Sequence, residues 1–399
     1  MKNGQSLKPY YPHSPIGTVD ALARTLGVHP KLLRDIARRV DDSYTSFNVT
    51  SNSGKERTVF DPKHELKKLQ KRINARIMEE VIFPAYLTGG IRDLDHPRDY
   101  VQNAARHAGG RTIIKLDIKN FYPNIRREYV ETIYSKFFRF APDVARLLTD
   151  LTTYHGRVPQ GACTSSYLAN LVFFNSEYHV VSALYRRDLQ YTRLLDDITI
   201  SSDRVLSDTE TTDAIKRVSA LCRKHDLQLY NNQKKEIDSP KNPQSSYLVT
   251  GILARHKVPK MPKKERKHIR QLVYICECEY KKDPYSDDYH KLWNRVSGKV
   301  AKIRRLGYPQ AKPLRRRLNA ILPLYDEVGE QKVVQEIKKL TKGKQVRRSN
   351  RIGHVRRVHK ASHQVGVLSR TNRPLARSLR KQLKESYARL PTIRSYWLE

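Results

Sequence analysis

Three carboxylates in this chain are spaced so that they can meet. Asp117 ends the apolar run Thr112-Ile113-Ile114-Lys115-Leu116, and Asp196-Asp197 open a second run, Ile198-Thr199-Ile200. Short runs of this kind, rich in β-branched residues, are strand signals. Acidic residues at the ends of neighbouring strands can converge on one point. Oxygen ligands of that type hold Mg²⁺, and two such ions clamp the attacking and leaving oxygens of a phosphoryl transfer. An Asp-Asp pair beside apolar strands is costly unless metal or water satisfies it.

Composition narrows the partner. The chain has 399 residues, of which 38% are hydrophobic, enough for two or three domains. Lys and Arg number 77 against 40 Asp and Glu, a net charge of +37. That excess is far above what solubility requires and calls for a polyanion, most simply nucleic-acid phosphate. No long apolar run favours a membrane, and the first residues lack the apolar core of a signal peptide. Four cysteines, Cys163, Cys222, Cys276 and Cys278, fit a reducing cytoplasm better than a disulfide framework. Cys276 and Cys278 with His354, His359 and His363 read as buried thiols and solvated histidines rather than a zinc site.

The elements that must position the carboxylates can be read in order. Thr18 caps a helix over Val19 to Leu26 that Gly27 ends, and Pro30 opens a second over Lys31 to Val40. Phe47 to Phe60 reads as a hairpin turning at Ser53-Gly54. A long helix is expected from Lys63 to Phe83, with Leu66, Leu69, Ile73 and Ile77 on one face. Further helices are expected over Pro97 to His107, Arg126 to Phe138, Thr164 to Val181 and Thr209 to His225. Strands and helices then alternate around an antiparallel aspartate hairpin, the pattern of an α+β sheet with helices on one face. From Pro259 onward, amphipathic helices carry a cationic side: Lys263, Lys264, Arg266, Lys267 and Arg270 lie opposite Ile269, Leu272, Val273 and Cys276. Beyond Thr341 the only acids are Glu385 and Glu399, and this tail is expected to be partly disordered until it meets nucleic acid.

Taken together, these residues resemble reverse transcriptases. The Asp117 segment, Val158-Pro159-Gln160-Gly161-Ala162-Cys163-Thr164-Ser165, Asp196-Asp197 and Gln233-Lys234-Lys235 follow one another as motifs A to D do. Two more signatures are similar to those of bacterial retron reverse transcriptases. Asn103-Ala104-Ala105-Arg106-His107 resembles their Asn-Ala-x-x-His, and Val249-Thr250-Gly251 their Val-Thr-Gly. Two departures stand out: Leu194-Leu195-Asp196-Asp197 replaces Tyr-Ala-Asp-Asp, and Cys163-Thr164-Ser165-Ser166 replaces Pro-Thr-Ser-Pro. By this resemblance neither removes a metal ligand, but Leu194 takes a position that in related polymerases flanks the primer end.

The resemblance implies a right-hand polymerase with a small antiparallel palm sheet. An N-terminal helical segment (1–45) would precede fingers (46–110), palm (111–258), helical thumb (259–342) and a basic C-terminal extension (343–399). It implies two Mg²⁺ ions bridged by Asp117 and Asp196, with weaker support from Asp197 and the backbone carbonyl of Ile118. Tyr122 would stack under the incoming sugar and exclude a 2′-OH, while Phe121 would belong to the core. Lys55, Arg57, Gln160, Gly161 and Lys234, or equally its neighbour Lys235, would meet the nucleotide. Asn103, His107, Val249, Thr250 and Gly251, with the cationic residues of the 263–270 helix, would meet RNA. The expected partners are a cognate structured noncoding RNA, its single-stranded DNA product (msDNA), dNTPs and a separate effector protein in anti-phage defence. Alternatives are another bacterial reverse transcriptase of defence or group II intron type, or a noncatalytic RNA- and DNA-binding scaffold.

Overall fold

The computed structural model describes residues 6–50, 54, 56–230, 236–343 and 351–399. The chain divides into two compact units, Met1–Lys260 and Met261–Glu399.

In the first unit, α1 (Val19–Leu26) starts where Thr18 Oγ1 accepts the Ala21 N–H at 3.1 Å and stops at left-handed Gly27. It is followed by α2 (Pro30–Arg38). Strands β1 (Tyr44–Thr50) and β2 (Glu56–Pro62) pair antiparallel over seven residues each, a longer hairpin than the weak alternation predicts. Next comes α3 (His64–Ile73), which widens into a π turn over Asn74–Met78. The expected continuation to Phe83 fails because Ile82 leaves the helix to exchange backbone hydrogen bonds with Tyr10. Asp99 caps α4 (Tyr100–Arg106) by accepting two backbone N–H groups.

After β3 (Thr112–Asp117) come α5 (Phe121–Asn124), α6 (Arg127–Thr132) and α7 (Pro142–Thr152). The sequence reading missed α7, whose Pro at the first turn and apolar Val144, Leu147, Leu148 and Leu151 are its signal. The helix expected over Thr164 to Val181 is two helices, α8 (Ser165–Leu171) and α9 (Glu177–Tyr185). The break delivers Glu177 to a buried partner described below. Strands β4 (Gln190–Leu194) and β5 (Asp197–Ser202) form the aspartate hairpin, and a Ser207–Glu210 capping box opens α10 (Asp208–Lys224). Short strands β6 (Glu236–Asp238), β7 (Leu248–Val249) and β8 (Ile252–Leu253) close the unit.

The central sheet has four antiparallel strands in the order β4-β5-β3-β6. Alternation gives it two unlike faces. Ile114, Leu116, Tyr191, Ile198 and Ile200 join the large core under the helices. Lys115, Asp117, Thr192, Asp197, Thr199 and Ser201 share the opposite face. Phe121 is buried, stacked on Phe173 at 6.2 Å.

The second unit is helical. One core unites α11 (Lys263–Lys282), α12 (Asp287–Arg305) and α13 (Ala311–Ala320). Another unites α14 (Glu327–Leu340), α15 (Ile352–Leu368) and α16 (Arg373–Ser386), and α17 (Ile393–Leu398) packs Tyr396 and Trp397 near Val355. The tail expected to be partly disordered is therefore helical over residues 352–398, and α14 shares its core rather than that of α11–α13. Its apolar spacing, Val358, Ala361, Val365 and then Leu379, Leu383, outweighs its basic composition. No helix among the described residues is long and apolar enough to cross a membrane.

Candidate active site

The register of β3 and β5 places Asp117 opposite Asp197. The Ile118 N–H donates to the Asp196 carbonyl at 3.1 Å, which makes Asp117–Asp197 a non-hydrogen-bonded pair. Cα atoms in such pairs are about 4.5 Å apart, with both side chains on one face. Leu194 pairs with Asp197 across the hairpin, so Leu195 and Asp196 form a two-residue turn. Leu195 sits at φ 60°, a turn position that usually falls to glycine. A left-handed backbone costs a leucine about 1–2 kcal/mol, so the surroundings must hold this turn.

Asp117 and Asp196 are half-buried and Asp197 is exposed. Tyr122 lies close enough to Asp196 that burial and this carboxylate together push its phenol up to about 12. A cleft of about 350 Å³ opens along the polar face, lined by Lys115, Asp117, Asp197, Thr199, Glu236 and Thr250. Lys115 reaches Glu236 and Asp238 at 2.5 and 2.9 Å.

Among the described residues no three His, Cys, Asp or Glu side chains close into a metal cage. The all-oxygen donor set of Asp117, Asp196, Asp197 and the Ile118 carbonyl fits a hard cation and offers no ligand a soft metal would prefer.

The hairpin is held by residues the sequence did not flag. Arg193 and Glu177 are both fully buried, joined from Nε to Oε1 at 2.6 Å and from Nη2 to Oε2 at 2.8 Å. Arg193 also donates to the carbonyls of Ala169 and Asn170 in α8 and, at 3.2 Å, to that of Leu195 in the turn. The alternation of β4 shows that Arg193 points into the core, but not that an acid waits there. Leu194, the residue that departs from the family pattern, packs on Gly89 so closely that a Cβ there would lie 2.7 Å from its Cγ.

The remaining expected residues sort by position. Gly161, at φ 106°, has its close approach to Val59 of β2, where an added Cβ would lie 2.4 Å from Cγ1; the Gln160 carbonyl accepts the Phe60 N–H at 2.8 Å. Gly161 thus docks the β1–β2 hairpin. Arg57, exposed two residues before Val59, shares its face of β2. Lys55, Lys234 and Lys235 lie outside the described residues. On α11, Lys263, Lys264, Lys267 and Arg270 are exposed, whereas half-buried Arg266 lies over the Tyr308 ring at 4.8 Å and leaves the cationic face. Tyr274, 62% exposed, extends the ridge of Lys263, Lys267 and Arg270 by helical spacing.

The two other signatures meet each other. Thr250 and Gly251, both with positive φ, form the two-residue turn between β7 and β8. The Thr250 hydroxyl donates to the Tyr100 carbonyl at the start of α4 at 2.9 Å, and the Gly109 N–H after α4 donates to the Ala254 carbonyl at 2.8 Å. Val249 is buried beneath this joint. Asn103 and His107 are 0% and 1% exposed. The RNA contact expected of these two side chains does not fit that burial: Asn103 Oδ1 and both His107 ring nitrogens are hydrogen-bonded inside the protein, while Asn103 Nδ2 is buried without a partner.

The chain is similar to proteins of known family. A family model described as reverse transcriptase (RNA-dependent DNA polymerase) matches residues 49–251. The chain is 42% identical over 379 residues to the Retron Se72 reverse transcriptase of Salmonella heidelberg, covering 94% of this chain and 98% of that one. It is 31% identical over 336 residues to the Retron Ec48 reverse transcriptase of Escherichia coli, with 81% of each covered. Identity to the Retron Ec86 reverse transcriptase of Escherichia coli is 24% over 259 residues, 64% of this chain and 77% of that one.

Proposed function

Because the chain belongs to the retron reverse transcriptases, RNA-directed DNA polymerases, we propose that it copies part of a cognate structured noncoding RNA into single-stranded DNA, primed from an RNA 2′-OH. The observation that carries this reading is the Asp117–Asp197 pair beside the Leu195–Asp196 turn. In this reading the four-stranded sheet is the palm, β1–β2 belongs to the fingers and α11–α13 form the thumb. Asp117 and Asp196, with the Ile118 carbonyl, would hold two Mg²⁺. Bound there, the ions supply a lowered pKa for the attacking hydroxyl and charge compensation for the triphosphate and departing pyrophosphate. Arg57 offers a bidentate donor to phosphate oxygens, and Gln160 lies where β2 meets the start of α8. The four free cysteines suit the bacterial cytoplasm, and an anti-phage role with a separate effector follows the family.

Purified protein given its own RNA, dNTPs and Mg²⁺ should yield DNA covalently joined to RNA, shortened to free DNA by RNase plus a debranching enzyme. Absence of any DNA would overturn the reading.

Tyr122 is half-buried, and in this reading its ring would lie under the sugar of an incoming nucleotide. Tyr122→Ala should raise ribonucleotide use relative to deoxynucleotide by roughly tenfold or more, the scale on which pocket volume discriminates. Competing the two substrates in single-nucleotide extension checks this; unchanged discrimination would move the steric gate elsewhere.

RNA binding is assigned to the α11 ridge, where three exposed cations are followed by an exposed aromatic. Lys267→Gln with Arg270→Gln should reduce the salt dependence of RNA binding, by about 0.7–0.9 in log–log slope for each phosphate no longer neutralised. Tyr274→Ala should instead cost about 1–3 kcal/mol of base stacking with the slope unchanged. Filter binding across salt concentrations separates the two effects.

A further inference from the structure

A chain of buried side chains crosses the central sheet just behind the aspartate turn. The Thr88 hydroxyl donates to Asn103 Oδ1 at 2.8 Å, and the Thr192 hydroxyl donates to the same oxygen at 2.7 Å. Thr192 Oγ1 also lies 2.7 Å from His107 Nε2, and His107 Nδ1 lies 2.7 Å from the Ser201 hydroxyl. The donor and acceptor roles of the two His107 ring nitrogens follow its tautomer, which is set together with the amide orientation of Asn103. His107 is neutral in this arrangement, and burial, with Arg106 nearby, lowers its pKa to about 3. All five residues are at most 3% exposed.

The chain links three neighbouring tracks. Thr88 belongs to the Tyr86–Thr88 segment that borders β4, where the Arg193 N–H donates to the Tyr86 carbonyl and the Thr88 N–H to that of Arg193. Thr192 belongs to β4, two residues before Leu194. Ser201 belongs to β5, on the same face as Asp197. Helix α4 therefore lies over the carboxylate-bearing face of the sheet, and its Asn and His tie together both strands whose junction is the Leu195–Asp196 turn.

We infer that Asn103 and His107, the distinguishing signature of this family, are positioning residues that fix the catalytic hairpin through Thr192, rather than residues that touch RNA. This rests on the polymerase reading above. The Thr250–Tyr100 bond then braces the helix that carries them.

Thr192 is the hub and allows a near-isosteric test. Thr192→Val keeps shape and removes the hydroxyl; Thr192→Ser restores it. The full-length protein is assayed for single-nucleotide addition on an RNA template with an annealed DNA primer. Assays use saturating dNTP across a Mg²⁺ titration, well below each variant's melting temperature. Binding of the cognate RNA is measured in parallel. Thr192→Val should slow addition by roughly ten- to a hundredfold, the scale of a catalytic group displaced by about 1 Å, and raise the Mg²⁺ needed for half-maximal rate. RNA affinity should stay within about twofold, a difference under 0.5 kcal/mol. Thr192→Ser should recover most of the missing rate. Ser201→Ala, a cut at the other end of the chain, is read the same way should Thr192→Val not fold. An unchanged rate, or a collapse of RNA affinity while the rate at saturating RNA persists, would overturn the inference. A wild-type protein that adds no nucleotide would instead sink the polymerase reading.

Discussion

Asp196→Asn should leave a folded protein that still binds its RNA and should slow nucleotide addition by roughly a thousandfold, about 4 kcal/mol of barrier. The substitution preserves side-chain volume, and Asn is tolerated in turns, so the hairpin survives. What disappears is a negative charge at the point where the Asp117–Asp197 pair and the turn converge. An amide oxygen still ligates, but it neither balances a divalent cation nor helps it acidify a hydroxyl. Asp197→Asn, at the more exposed carboxylate, should be milder. The measurement is pre-steady-state addition of one dNTP over a range of Mg²⁺, beside RNA binding by filter assay. A rate within tenfold of wild type would remove Asp196 from the metal site. Loss of RNA binding together with the rate would mean that the turn organises more than chemistry.

Much of this site can be read from sequence because its determinants are local. Apolar alternation sets the register of β3 against β5, since a slip of one residue would turn every core side chain to the polar face. Ser207 and Glu210 announce α10, and Thr18 and Gly27 bracket α1. The determinants that escaped are pairings across long stretches of chain. Nothing near Glu177 in sequence marks it as the counter-ion of Arg193, and without that ion pair Thr164 to Val181 reads as one unbroken helix. Arg266 looked like its neighbours until Tyr308, some forty residues away, supplied a ring for it. Asn103 and His107 were visible as a signature. Their burial was not, because two polar residues one helical turn apart suit a solvated face as well as a satisfied interior. The terminal helices show the reverse error: charge density suggested disorder, yet the apolar positions already carried a three-residue and four-residue rhythm.

Arg193→Met should be the most destabilising single change in the first unit, by about 3–5 kcal/mol, since it leaves the Glu177 carboxylate buried without its counter-charge. Glu177 keeps the Tyr191 hydroxyl, which donates to it at 2.8 Å, but one neutral hydrogen bond does not offset the desolvation of an ion. Adding Glu177→Gln to Arg193→Met removes the orphan charge while keeping a hydrogen-bonding group for Tyr191. The double variant should therefore regain much of the stability, and a double-mutant cycle in urea reads the coupling directly. Activity should not return in step. Neither replacement reaches the Leu195 carbonyl that Arg193 holds at 3.2 Å, and Leu195 sits in a backbone conformation a leucine does not favour. A refolded but slow double variant means that the ion pair serves two ends, neutralising a charge inside the core and restraining the turn that carries Asp196. Full recovery of rate along with stability would reduce Arg193 to a packing residue and leave the turn to be held by the Thr192 chain and the packing of Leu194 on Gly89.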